Sequence, residues 1–184
     1  MSSFAIIRST FTLANLRWLG TECMKTLRRY YIAVISFVLT LGVLTQFFFV
    51  GNSVDSSLPN DHLYVVKKWD ATPFRGGKFG ILTVDGPIGP PGGLVLAKYI
   101  YGMPGDFVEI GGEDGRDIFI NGDWVAHAKR FSKTGKPLTV TRGGVIPDGM
   151  YFVGTPSKDS YDSRYATMGL ISRDRIVGRV ITLF

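Results

Sequence analysis

The sequence predicts a mainly β domain behind one N-terminal transmembrane helix. Three observations lead there. Residues 31–50 form a run of twenty residues without a charge. After Val50 no segment sustains a 3.6-residue apolar period, and short β-branched and aromatic runs recur between turn residues instead. The chain also carries 23 glycines and 9 prolines among its 184 residues, a density of turn formers that favours many short strands over long helices. With 45% hydrophobic and 13% aromatic residues there is enough material for a core, and the length allows one domain plus an anchor.

The apolar run reads Tyr-Ile-Ala-Val-Ile-Ser-Phe-Val-Leu-Thr-Leu-Gly-Val-Leu-Thr-Gln-Phe-Phe-Phe-Val. As a helix of twenty residues it spans about 30 Å, the thickness of a bilayer's hydrocarbon core. Arg28 and Arg29 precede it directly, so the positive-inside rule places residues 1–30 in the cytoplasm and residues 51–184 outside. A cleaved signal peptide has a shorter apolar core of about 7–15 residues ending at small side chains, and Phe47-Phe48-Phe49-Val50 is a poor approach to such a site. The run is therefore read as an uncleaved signal anchor. Residues 1–23 have the composition of an unstructured arm, and Met24, just before Lys25, offers a second start.

Strands follow in order. Residues 63–66 (Leu-Tyr-Val-Val) and 80–84 (Gly-Ile-Leu-Thr-Val) are the first two, and residues 87–93 form a Pro/Gly-rich loop. Residues 94–101 are apolar at every position but Lys98, the pattern of a strand buried on both faces. Met103-Pro104-Gly105-Asp106 closes it with a turn. Residues 107–110 and 117–120 are strands, and Asn121-Gly122 gives a tight hairpin turn because both central positions of a type I′ turn need positive φ. Residues 124–126 return, and residues 149–154 and 176–183 complete the set.

Charge and rare residues exclude several functions. The net charge is +6, but Arg8, Arg17, Lys25, Arg28 and Arg29 against Glu22 place +4 of it before residue 32. The exterior part has no overall basic excess of the kind nucleic-acid binding needs, and no nucleic-acid partner is expected. Cys23 is the single cysteine, so no intrachain disulfide forms. His62 and His127 are the only histidines, too few for a zinc site built on several His/Cys ligands.

Lys98 carries the strongest chemical signal. On a strand it shares one face with Leu94, Leu96 and Ile100, while Val95, Ala97, Tyr99 and Tyr101 line the other. An amine among such neighbours is desolvated, and desolvation lowers a lysine pKa. A general base works best near pH about 7–8, so a lysine becomes useful when its reference pKa of about 10.4 falls by about three, a change of roughly 4 kcal/mol. The competing reading is an amine that snorkels to solvent at a sheet edge. A neutral lysine can activate a serine, and Ser56 is the preferred nucleophile. It stands in Asn52-Ser53-Val54-Asp55-Ser56-Ser57-Leu58-Pro59, which local composition alone reads as a solvated turn. Residues 160–165 (Ser-Tyr-Asp-Ser-Arg-Tyr) offer a hydroxyl to hold the amine and an Asp162–Arg164 ion pair, although alone they read as a polar surface turn.

Taken in order behind an anchor, these clusters resemble the type I signal peptidases, and most closely their TraF-type conjugative-transfer members. Ser56-Ser57-Leu58-Pro59 is similar to the family's Ser-x-x-Pro motif. Lys98, four residues before Gly102-Met103-Pro104-Gly105-Asp106, is similar to its lysine motif. Ser160–Tyr165, followed by Gly169 and Val177-Gly178-Arg179, resembles its C-terminal motif. The resemblance covers residues 51–184. It implies a signal-peptidase/LexA-like β-rich catalytic domain at the outer face of a bacterial inner membrane, without cofactor or metal. It implies attack by Ser56 on a peptide carbonyl, Lys98 as general base, Ser160 orienting the amine, and Asp162 and Arg164 bracing the loop, with Ser57 as a supporting residue. The implied partners are the lipid bilayer and an exported precursor with small side chains at the first and third positions before the cut, here a prepilin or another conjugation precursor.

One departure stands out. Many relatives carry Ser or Thr two residues before the nucleophile, where its hydroxyl assists the oxyanion hole, and here that position is Val54. Loss of such a donor costs about 2.7–4 kcal/mol, unless Ser53 or Ser57 substitutes. The exterior domain, at 134 residues, lacks the large insertion of bigger relatives and is expected to accept a narrow range of precursors. Two rival functions follow from the same motifs. A catalytically inactive scaffold of a conjugation or secretion apparatus is favoured only by Val54. A LexA-type self-cleaving regulator needs a DNA-binding domain that residues 1–30 are too short to supply.

Overall fold

A computed structural model describes residues 13–52, 63–86 and 92–182. The chain forms two units, Met1–Thr45 and Gln46–Phe184. The single long helix, α1, covers Leu13–Phe47. Within it Thr21–Phe47 is long and apolar enough to cross a membrane. Its side chains from Ile32 to Leu44 are exposed on all sides of the helix, which marks a helix suited to lipid rather than to a protein core. Its hydroxyls are satisfied locally: Thr40 donates to the Ser36 carbonyl at 2.7 Å and Thr45 to that of Gly42 at 2.7 Å. Hydrocarbon supplies no such partner, so internal bonding suits a spanning helix.

The helix differs from the predicted span at both ends. It begins by Leu13, within the arm read as unstructured. It stops at Phe47, and Phe48, Phe49 and Val50 leave the helix for β1, Phe48–Asn52. They are drawn off by an antiparallel ladder to β2, Leu63–Lys67, in which Phe48 faces Lys67 and Val50 faces Val65.

The second unit is built on antiparallel sheets. Beyond β2 the strands are β3 Lys78–Leu82, β4 Val95–Gly102, β5 Phe107–Gly111, β6 Asp117–Ile120 and β7 Asp123–His127. They continue with β8 Gly144–Val145, β9 Met150–Gly154, β10 Ile171–Ser172 and β11 Ile176–Thr182. One sheet has the order β1-β2-β11-β3-β4-β9-β10, the other β7-β6-β5-β8. The mainly β prediction therefore holds. The strands missed in the sequence are β1, hidden in the apolar run, and β8 and β10, each two residues long and below any detectable period.

Local chemistry accounts for the changes in boundary. The strand read at residues 80–84 is β3, two residues earlier, because Thr83 bonds Leu94 through its hydroxyl as well as its backbone and ends the ladder there. The predicted turn forms at Asn121 and Gly122, with φ of 54° and 90°. One core cluster joins Phe79, Ile81, Ile100, Val153 and Ile171 around β4. A second joins Val108, Ile118, Ile120, Ile146 and Phe152 under the smaller sheet. Each such side chain contributes about 1.5–3 kcal/mol on burial. At Gly51 a Cβ would collide with the buried Tyr64 ring, whose hydroxyl donates to the Val95 carbonyl at 2.9 Å. That close approach ties β1 and β2 to β4.

Candidate active site

Lys98 lies in the middle of β4, facing Phe79 on β3, while its neighbour Tyr99 faces Gly154 on β9. Alternation along β4 buries Lys98, Ile100 and Gly102, whereas Ala97, Tyr99 and Tyr101 are half-buried. The strand is thus buried on the lysine's face from Lys98 onward, with Leu96 half-buried, and only partly buried on the other face, a correction to the two-sided burial expected from its composition. Leu94 is exposed and outside the strand. Lys98 itself is only 3% exposed, which removes the snorkelling alternative. Burial lowers its pKa to about 8, with the nearby Asp162 carboxylate pulling upward and Arg164 pulling downward.

Among the described residues the amine has one hydrogen-bond partner. Lys98 Nζ donates to Ser160 Oγ at 2.7 Å, across 62 residues of sequence. Ser160 is buried, as are Asp162, Ser163 and Arg164. The surface-turn reading of residues 160–165 is therefore overturned, because tertiary packing encloses a segment whose polarity suggested solvent. Arg164 makes the enclosure possible. Its Nε and Nη2 bond both carboxylate oxygens of Asp162 at 2.7 and 2.8 Å, and its remaining donors reach the Thr155 and His127 carbonyls at 2.8 and 3.3 Å. A two-pronged pair with its other donors engaged is the form in which buried charges are tolerated. Ser163 holds the same loop to β9: its N–H donates to the Val153 carbonyl at 3.0 Å, and its Oγ accepts from the Val153 N–H at 3.0 Å.

The turn after the lysine strand is clipped by Asp106. Its carboxylate accepts from Arg75 at 2.7 and 2.6 Å, from the Met103 N–H at 2.6 Å and from Asn121 at 2.8 Å. Burial pushes its pKa up, yet these bonds win and hold the carboxyl below its usual value. Arg75 was not found from the sequence, since it belongs to no recognisable spacing, and Ser163, although inside the C-terminal motif, was given no role there. An unpaired aspartate in a Pro-Gly-Asp turn was the one signal that could have prompted a search for a basic partner.

Among the predicted site residues the structure brings together Lys98 with Ser160, and Asp162 with Arg164, in one buried cluster. Ser56, Ser57, Ser53 and Val54 lie outside the described residues, as does His62. His127 stands elsewhere, its Nδ1 2.9 Å from Asp117 Oδ1 at a half-exposed position on β7. Chemically, the cluster presents an amine whose pKa is lowered to about 8, held in one direction by a hydroxyl and enclosed by apolar neighbours. That arrangement suits proton abstraction.

The profile of the family described as "Signal peptidase, peptidase S26" matches residues 23–184. A solved signal peptidase I from Enterococcus faecalis is 25% identical, with 61% of this chain and 97% of that chain covered and a TM-score of 0.36. No curated protein matches the chain. A profile that runs through the apolar helix and the whole β unit settles the family: this chain belongs to the signal peptidases, serine endopeptidases that cleave exported precursor proteins.

Proposed function

We propose that the chain is a membrane-anchored peptidase using a Ser56–Lys98 dyad, and that its substrate is a prepilin or another conjugative-transfer precursor. The observation that supports the dyad most is the buried Lys98 amine, with a pKa of about 8 and a 2.7 Å bond to Ser160. The neutral fraction of such an amine is about one tenth at pH 7 and about half at pH 8. In this reading the Ser56 hydroxyl gives its proton to Lys98 Nζ as Oγ bonds the scissile carbonyl carbon. The tetrahedral oxyanion collapses, the C–N bond breaks, and the Lys98 ammonium protonates the leaving amine. Water then attacks the acyl-enzyme, again passing its proton to Lys98, and Ser56 is released. Ser160 keeps the amine aimed, and the Asp162–Arg164 pair keeps Ser160 in place.

The layout proposed is a cytoplasmic arm at residues 1–30, an anchor within residues 31–50 and a catalytic domain at residues 51–184 on the periplasmic side of a bacterial inner membrane. Arg28 and Arg29 beside the apolar helix favour that orientation. The conjugative substrate rests on the TraF-type resemblance and on the short exterior domain.

The test uses the full chain in detergent with a candidate conjugative prepilin, and intact mass as the readout. Wild type should cut at one site, while Ser56→Ala and Lys98→Ala should be slower by about 10²–10⁴. Cleavage that survives Ser56→Ala moves the nucleophile to Ser57 or Ser53. A product lighter by one further water reports cyclisation. Equal complementation of conjugation by wild type and both variants rejects the peptidase reading in favour of a scaffold.

A further inference from the structure

Beside Ser160 lies a cavity of about 350 Å³ that the Ser–Lys chemistry leaves unexplained. Its lining carries four lysines, Lys129, Lys133, Lys136 and Lys158, against one carboxylate, Asp159. That carboxylate is already engaged: Lys129 Nζ sits 2.6 Å from Oδ1 and Lys133 Nζ 4.0 Å from Oδ2. The Lys129 bond and the surrounding lysines hold Asp159 below the usual carboxylate range, so it stays ionised and offsets one positive charge of four.

This concentration is local. Residues after position 31 carry a net charge of only +2, yet Lys129, Arg130, Lys133 and Lys136 fall within eight residues that contain no acid. The rim they form is built rather than loose. Phe131 bridges Pro137, the Ser132 N–H donates to the Lys136 carbonyl at 2.9 Å, and the Lys136 N–H donates to Ser132 Oγ at 3.0 Å. The Leu138 N–H closes the base of the turn on the Arg130 carbonyl at 2.8 Å. Buried Leu138 and Tyr165 form part of the cavity wall, and low-dielectric walls around charges of one sign focus the field on whatever enters.

The geometry points to a subsite for acidic side chains of the precursor, next to the cut. Ser160 connects the cavity to the reacting centre: it lines the one and accepts from Lys98 in the other. A peptide lying along the reacting centre would thus pass the lysines. A bilayer presents a plane of headgroups and needs no concavity opening on Ser160. The inference deepens the Ser56–Lys98 reading and rests on it.

The test uses the full chain in detergent carrying Ser56→Ala, so that binding is read without turnover. Labelled peptides with an Ala-x-Ala site carry an acidic run, or the matching glutamine run, before or after the site. Fluorescence anisotropy should give about tenfold tighter binding for an acidic peptide than for its glutamine twin at low salt, from several exposed charge pairs acting together. The preference should shrink with added salt. It should vanish in the Lys133→Gln/Lys136→Gln/Lys158→Gln variant, whose fold is checked by its unfolding curve. Equal binding of the twins, or a preference that survives the triple change, overturns the subsite. So does a variant that loses only its affinity for anionic vesicles over zwitterionic ones, since that result assigns the lysines to lipid. Cleavage that persists in Lys98→Ala sinks the dyad reading, while the anisotropy ratio still decides the subsite.

Discussion

Lys98→Met should make the protein more stable and inactive, and the gain should depend on pH in a calculable way. Burial lowers the Lys98 pKa from 10.5 to about 8 in the folded state. A tenfold change in a proton-binding constant is worth about 1.4 kcal/mol, so below pH 8 the folded chain carries a penalty of about 3 kcal/mol for enclosing an ammonium. Between pH 8 and 10.5 the unfolded chain binds more protons at this position than the folded one. Wild-type stability therefore rises with pH through that window, and the penalty fades as the pH approaches the unfolded value. Methionine fills similar space without charge, but it leaves Ser160 Oγ without the bond from Lys98, a loss of about 1 kcal/mol. The variant should be about 2 kcal/mol more stable than wild type at pH 7, and that gap should narrow by about 2 kcal/mol by pH 9.5. Urea unfolding of both proteins in the same detergent at the two pH values measures it. A variant no more stable than wild type at pH 7, or a gap that ignores pH, would refute the desolvation argument.

The remaining predictions share the same cluster. The rate of cleavage, as kcat/KM, should climb with pH through an apparent pKa near 8, the value burial gives Lys98, and a limb still rising beyond pH 10 would assign the base elsewhere. Asp162→Asn should move that limb down and Arg164→Met should move it up, because Asp162 raises the lysine's pKa and Arg164 lowers it; movements of the same sign would contradict that account. Each of these single changes should also cost about 3–5 kcal/mol by leaving one buried charge unpaired, whereas the double change Asp162→Leu/Arg164→Met should cost less than the sum of the singles in unfolding experiments. Gly51→Ala should destabilise by about 1–3 kcal/mol, since the added Cβ collides with the Tyr64 ring. Tyr64→Phe should cost about 1 kcal/mol for the lost bond to Val95.

Much of the fold was legible because it depends on local signals. A charge-free run of membrane length marks α1, a short aromatic and β-branched run marks β2, and Asn121-Gly122 marks the β6–β7 hairpin to the residue. What stayed hidden is non-local. Phe48–Val50 are as apolar as the helix before them, and only the partner strand β2 decides that they pair as β1. Composition argues for solvent at residues 160–165, and only the enclosing strands reveal that Arg164 and Asp162 satisfy one another inside. Lys98 was legible as an amine out of place, but its 2.7 Å bond to Ser160 spans 62 residues, a distance that no periodicity reports. The family's motif order supplied what physical reading of one segment at a time did not.

The buried pair also explains how the lysine keeps a lowered pKa beside a carboxylate. Asp162 alone, enclosed near Lys98, would stabilise the ammonium and return the amine toward its ordinary pKa. Arg164 binds both oxygens of that carboxylate and opposes it at the lysine, so the two charges pull the amine in opposite directions. With the Coulombic effects opposed, desolvation by the apolar neighbours on β3 and β4 governs the amine. Asp162 keeps its structural use, accepting from the Thr155 and Arg164 N–H groups that shape the loop around Ser160. The loop can thus be braced by charge without that charge deciding the protonation of Lys98. A neutral brace would need only shape, so this arrangement distinguishes the ion pair from any apolar pair of equal volume: the apolar pair can match its stability, but it forfeits the backbone bonds that fix Ser160's loop.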